Sequence, residues 1–229
     1  MNQVKKANYH HGNLRQALLE TALEALASES LDKLSLRGLA KTLGVTPTAV
    51  YGHFSDKTAL LMELRTLGFA QLSDTMAESL EALPANSRAE DKVKALGHAY
   101  MHFALEKPHL FDTLFSWNPD FERITPECIE AGVCSESMLR DTLIELIREQ
   151  GAEATEYQAS VASFSAWSLV HGISTLLKTG SVEGAIYCDN WPETFSSRHP
   201  ESQARVIDHL LTIEIEGLKV AVTKCQEAD

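Results

Sequence analysis

The chain has 229 residues, 44% of them hydrophobic and 23% charged, a balance that excludes a disordered chain, a collagen-like fibre and a small disulfide scaffold. No run approaches the roughly 18 apolar residues of a membrane span. The first segment, MNQVKKANYHHGNLRQ, has two lysines but no apolar stretch behind them, so neither a secretory signal nor a membrane partner is expected, and the expected address is the cytoplasm.

The formal net charge of −12 is unevenly spread. Residues 1–70 hold eight Lys/Arg and six Asp/Glu (+2), and residues 71–229 hold twelve and twenty-six (−14). The local surface facing a phosphate decides nucleic-acid binding, so the acidic average does not exclude DNA. The four cysteines, Cys128, Cys134, Cys188 and Cys225, form no C-x-x-C pair. They are expected to be free thiols, with no metal and no cofactor.

Apolar residues recur at three- and four-residue steps through most of the chain, which predicts an all-α fold. Leu14, Leu18, Ala22, Ala25 and Leu26 make one stripe over residues 13–29, with Asn13 as the expected N-cap. Ser35 caps a second helix ending at Leu43, and Gly44 supplies the left-handed residue that stops it. Thr46-Pro47 starts a short third helix, about 47–53, because the threonine hydroxyl caps and proline gives up only an amide without a helical partner. A fourth helix starts at Ser55 or Asp56, covers about 57–82, and gives way near Pro84. Further helices are expected at about 90–106, 108–117, 125–150, 154–179 and 201–224. Residues 181–200, with Pro192 and Pro200, read as a long connection. Structureless loops of that length are uncommon, so a helical turn is expected inside it.

The first three helices have the spacing of a helix-turn-helix, with Gly44-Val45-Thr46 as the turn. Small side chains on the third helix allow it to enter a major groove. Thr48 offers a hydroxyl and a methyl to base edges. Tyr51 and His53 can donate to phosphate, and Lys57 adds positive charge beside free backbone amides at the next helix start. Phe54 reads as a core aromatic.

The run LGVTPTAVYGHFSDKTALL, within residues 9–70, resembles the DNA-binding domain of the TetR family of transcriptional regulators. The resemblance implies base contact from Thr46, Pro47 and Thr48. It implies phosphate contact from Ser35, Arg37, Tyr51, His53 and Lys57, with Tyr9, His10 and His11 as a preceding arm. It also implies a DNA-binding domain over 1–60 and a helical regulatory and dimerisation domain over 61–229.

The remainder has no nucleophile elbow, P-loop, H-E-x-x-H or dinucleotide glycine pattern, so no enzymatic activity is expected. His98 and His102 have a metal-compatible i, i+4 spacing but no completing ligand. Trp167-Ser-Leu-Val-His171-Gly172 resembles the Trp-x-x-x-His-Gly signature of one TetR C-terminal subgroup. By the same resemblance, Met101, His102, Phe111, Phe115, Phe164, Trp167 and His171 are candidates to line a ligand cavity. Similar regulators pair through their last two long helices, here about 154–179 and 201–224. Val206, Leu210, Leu211, Ile213, Ile215 and Leu218 give the last of these an apolar face wide enough for a core and a partner. The expected function is a ligand-responsive repressor that binds a palindromic operator in double-stranded DNA as a homodimer. The alternative on the same fold is a DNA-bound adaptor that contacts a protein partner.

Overall fold

The computed structural model describes residues 14–117, 119 and 121–226, with side chains through residue 221. Asn13, the arm residues Tyr9, His10 and His11, and the Cys225 side chain lie outside these. Among the described residues every regular element is helical. They are α1 (Leu14–Leu26), α2 (Leu36–Leu43), α3 (Pro47–Tyr51), α4 (Lys57–Glu81), α5 (Ala89–Glu106), α6 (Pro108–Phe115), α7 (Pro126–Glu149), α8 (Glu156–Lys178), α9 (Ser181–Tyr187) and α10 (Pro200–Gln226). Single 3-10 turns occur at Leu31–Lys33, Phe121–Arg123 and Glu193–Phe195. No helix among these residues is long and apolar enough to cross a membrane.

Local chemistry sets the boundaries. The Ser35 hydroxyl accepts from the Gly38 amide at 3.1 Å, and the Thr46 hydroxyl accepts from Ala49 at 3.3 Å. The Asp56 carboxylate accepts from Ala59 at 2.8 Å, and Thr125 accepts from Cys128 at 3.2 Å. Each satisfies an amide that a helix start leaves without a backbone partner. Gly44 sits at φ 69°. The amide of Val45 reaches Ala40 and that of Gly44 reaches Lys41, the paired closing bonds of a Schellman stop.

The stretch 181–200 is more ordered than an open connection. It holds α9, with Val182 and Ile186 buried, and the turn at Glu193–Phe195. Glu183 clamps the chain between them. Its carboxylate accepts from the Ser197 amide at 2.7 Å and from the Ser197 and Ser196 hydroxyls at 2.8 and 3.0 Å. The Ser197 backbone bond, followed by these hydroxyls, holds its pKa below the ordinary value. Seven helical residues are too few for periodicity to separate from a turn.

The chain divides into two compact units. One takes the described residues up to Gly68 together with His109–Cys128, and the other takes Phe69–Pro108 and the residues from Ile129 onward. The division at Gly68/Phe69 falls inside α4, the helix read from the sequence as connecting domains over 1–60 and 61–229. In the first unit, Leu18, Ala22, Leu26, Leu39, Val50 and Phe54 are buried among α1, α2, α3 and the start of α4. α6 belongs here because Gly68 lets Leu110 and Leu114 close onto the α4 backbone, where a Cβ would collide with them. Arg65 donates to the Trp117 carbonyl at 3.3 Å, and Arg123 donates to both Asp56 oxygens at 3.0 Å.

In the second unit α5 packs against α8 and α10. A Cβ on Gly97 would lie 2.8 Å from Leu211 Cδ2, so glycine sets how closely α5 and α10 approach. Lys94 pairs with Asp208 at 3.1 Å, Lys219 with Glu90 at 2.6 Å, and Lys92 with Glu145 of α7 at 2.7 Å. These partly exposed pairs orient helices more than they stabilise them.

A polar relay crosses from α5 to α8. The Trp167 indole N–H donates to the Tyr100 oxygen at 3.1 Å, and Tyr100 Oη lies 2.9 Å from His171 Nδ1. Burial raises the Tyr100 pKa, opposed by the Trp167 bond, so its phenol stays protonated. The assignment that uses every donor has Tyr100 donating to Nδ1, which leaves the imidazole proton on Nε2. Burial, then the charge of Lys178, lowers the His171 pKa below its ordinary value of 6.5.

Three outcomes are expected from this packing. Tyr100→Phe, which strands the indole N–H and Nδ1, should cost about 1–3 kcal/mol in urea unfolding. Because the folded-state pKa of His171 is depressed, its contribution to stability is fully present above pH 6.5 and is lost as pH falls from there through the folded value. His171→Gln should flatten that part of the stability–pH profile. Gly97→Val should cost about 1–3 kcal/mol by overpacking against Leu211, read in the same unfolding experiment.

Candidate nucleic-acid interface

α3 has only five residues, and its two sides differ sharply. Val50 is fully buried, and Phe54, three residues past the helix end, is buried beneath it. Thr46, Pro47, Thr48, Tyr51 and His53 are exposed, with Tyr51 46% accessible. The core thus consumes one side of the helix and leaves the other to a partner. Thr46 already spends its oxygen on the cap to Ala49, and Pro47 has no amide to donate. Thr48 is the first side chain on this face with its hydroxyl and methyl uncommitted to the cap.

α2 packs on α3 and adds the charge. Ser35 caps α2 from an exposed position, and Arg37 is exposed in its first turn. Lys41, absent from the sequence candidates, is also exposed. Among the described residues neither cation has a carboxylate partner. The i, i+4 spacing of Arg37 and Lys41 was the available signal, since it places two cations on one side of a helix.

Lys57 behaves differently from the charge expected at that position. Its ammonium donates to the Leu31 carbonyl at 2.8 Å and the Asp32 carbonyl at 3.4 Å. It ties the turn at Leu31–Lys33 to the start of α4, and one of its three protons remains for another acceptor. Asp56 beside it is held by Ala59 and by Arg123. Its pKa lies below the ordinary carboxylate value, first through the Ala59 amide and, opposed by burial, through Arg123. The Arg15 guanidinium lies 5.5 Å from the Phe54 ring centroid and pairs with Glu63. These interactions hold the end of α3 against α1 and α4.

The other sequence candidates fall in both units. Phe111 is buried and Phe115 half-buried in the first unit, ring centroids 4.8 Å apart. In the second unit Met101 is buried and His102 is exposed. Trp167 and His171 are joined through Tyr100, a residue that no sequence motif marked. Phe164 is 66% exposed. His98 Nε2 lies 3.8 Å from Asp208, and no group of three His, Cys, Asp or Glu among the described residues is arranged to hold a metal ion.

Two family models match the chain. Residues 18–64 match the model for bacterial regulatory proteins of the tetR family, and residues 93–189 match that for tetracyclin repressor-like C-terminal domains. The chain is 27% identical to the uncharacterized HTH-type transcriptional regulator YobS of Bacillus subtilis, over 75% of this chain and 83% of that one. Over 47 residues it is 47% identical to the class C tetracycline repressor protein of Escherichia coli, covering 20% of this chain and 22% of that protein. A solved structure of a protein of unknown function from Rhodococcus sp. RHA1 superposes with a TM-score of 0.69 at 27% identity, over 93% of this chain and 97% of that one. The TetR family transcriptional regulator PfmR of Thermus thermophilus shares the fold, with a TM-score of 0.57 at 20% identity over 86% and 94% of the two chains. With a capped turn, a reading helix exposed on one side and family matches to both parts, the chain belongs to the TetR family of helix-turn-helix DNA-binding transcriptional regulators.

Proposed function

We propose that this regulator is a ligand-responsive repressor that reads a palindromic operator as a homodimer. The observation that carries the reading is the outer side of α3. It presents Thr48, Tyr51 and His53 beside the exposed cations Arg37 and Lys41, in a chain whose acidity otherwise lies beyond residue 70. In this reading Thr48 contacts base edges, with Thr46 and Pro47 shaping the approach. Ser35, Arg37, Lys41, Tyr51, His53 and the remaining proton of Lys57 hold phosphates.

A helix of five residues reads too few base pairs to define an operator, so two copies related by a two-fold axis are required. Two exposed apolar stripes support pairing through α8 and α10. Tyr157, Val161, Phe164 and Trp167 follow one another at four- and three-residue steps along α8, and Ile213 and Val220 lie two turns apart on α10. The inner residues of α10, Ile207, Leu211 and Ile215, are buried in its own unit. The wide apolar face of that helix thus divides between a core and a partner. For the effector we propose the surroundings of Met101, Tyr100 and the Trp167–His171 pair, because the Trp167–Tyr100–His171 relay offers polar anchors beside buried apolar residues of α5. An effector would act by favouring one spacing of the two reading heads, and its influence is bounded by its differential affinity for the two states.

Thr48→Ala should weaken binding to the selected operator by about 1–3 kcal/mol and relax preference at one base pair per half-site. Loss on all sequences alike would remove Thr48 as a base reader. Arg37→Ala and Lys41→Ala should each weaken every sequence similarly and reduce the salt slope by about 0.9 for each phosphate no longer neutralised. Phe164→Glu should convert the dimer to a monomer in sedimentation at micromolar concentration, and a persistent dimer would move the interface elsewhere.

A further inference from the structure

Asp56 puts a full negative charge at the junction of α3 and α4. It caps α4, accepting from the Ala59 amide at 2.8 Å, and it stands three residues beyond the exposed His53. Its neighbour Lys57 does little to offset it, because that ammonium is turned onto the carbonyls of Leu31 and Asp32. Serine and asparagine cap a helix as well as aspartate does, and Ser35 and Thr46 cap α2 and α3 without a charge. The cap alone does not call for the charge of Asp56.

That charge holds Arg123. One guanidinium nitrogen lies 3.0 Å from both Asp56 oxygens, 67 residues away in the chain. The Arg123 and Asp56 side chains are 40% and 48% exposed, so the pair contributes little to stability. Its effect on an approaching anion is another matter. With the guanidinium in place the carboxylate is compensated, and without it a unit of negative charge faces any phosphate at this junction. Like charges about 10 Å apart in water repel enough to change an affinity about two-fold, and more where protein replaces part of the water. Arg123 ends the turn Phe121–Arg123, within His109–Cys128, a stretch that belongs to the reading unit while its two ends continue into residues of the second.

We propose that Arg123 is a positioning residue for DNA binding, neutralising and holding Asp56 so that phosphate can approach the junction of α3 and α4. The proposal rests on the reading that DNA lies on the outer side of α3. It makes the affinity of the reading head depend on a stretch of chain far from the helix-turn-helix in sequence.

The test is a fluorescence-anisotropy titration of a labelled mixed-sequence duplex with the full chain, at low and at high salt. Arg123→Ala should weaken binding about two- to five-fold at low salt, and the loss should shrink as salt screens the exposed charge. Asp56→Asn keeps the cap and should strengthen binding by a similar factor. Combining Asp56→Asn with Arg123→Ala should restore the parent affinity, and Arg123→Lys should keep most of it. Arg148→Ala, which removes an exposed cation paired with Glu153 in the second unit, controls for total charge and should change nothing. Melting temperatures should not move. Unchanged binding by Arg123→Ala, in an assay where Arg37→Ala weakens it, overturns the proposal alone. If neither variant weakens binding, the placement of DNA on α3 falls with it. A double variant as weak as Arg123→Ala overturns the proposal by showing that Arg123 acts through shape and not charge. An equal loss in Arg148→Ala overturns it by making the effect one of total charge.

Discussion

The recognition helix is too short to hold itself together. A five-residue helix completes barely one turn, and nucleating a turn costs more than its few hydrogen bonds return. α3 therefore exists only because its surroundings hold it. The Schellman stop at Gly44 aims the chain, Thr46 and Pro47 start the helix, and Val50 and Phe54 anchor it from below. Beyond its end, Asp56 caps α4 and is gripped by Arg123, while Lys57 ties α4 back to the turn before α2. A segment with almost no intrinsic stability is thereby held in place, and of its outer side chains only Thr46 is spent on the fold, as the N-cap.

The same economy governs the second unit. α5 lies against α8 and α10, drawn close by Gly97 and oriented by ion pairs to α7 and α10. A core of this kind uses only the inward side of α8 and α10. The apolar residues left outside, Tyr157, Val161, Phe164 and Trp167 on α8 and Ile213 and Val220 on α10, recur at regular steps along each helix. The relay of Trp167, Tyr100 and His171 is the polar exception. It places a neutral imidazole and a high-pKa phenol where burial would otherwise strand them.

The helices and the turn were legible because their causes are local. Ser35, Gly44 and Thr46-Pro47 act on amides and dihedrals within a few residues of themselves. Roles were harder. Thr-Pro occurs at 46–47 and again at 125–126, and both threonines cap a helix. Only the first pair opens the short helix α3, and nothing within the dipeptide distinguishes them. Lys57 looked like a free charge because its partners, the carbonyls of Leu31 and Asp32, lie twenty-six and twenty-five residues away. Tyr100 carried no motif, since its partners lie 67 and 71 residues away on another helix.

By itself the sequence determined the all-α class, the capped turn, the exposed candidates on α3 and the resemblance to a family. Those follow from propensity, capping and periodicity, which act over one or two turns. Tertiary structure decided that His109–Cys128 joins the reading unit, that Lys57 turns inward, that residues 181–200 fold around Glu183, and that Phe164 stays outside while Phe111 is buried. Each of these depends on contacts between residues far apart in the chain. Such contacts are set by the volumes and charges of both partners at once, and no local window contains them.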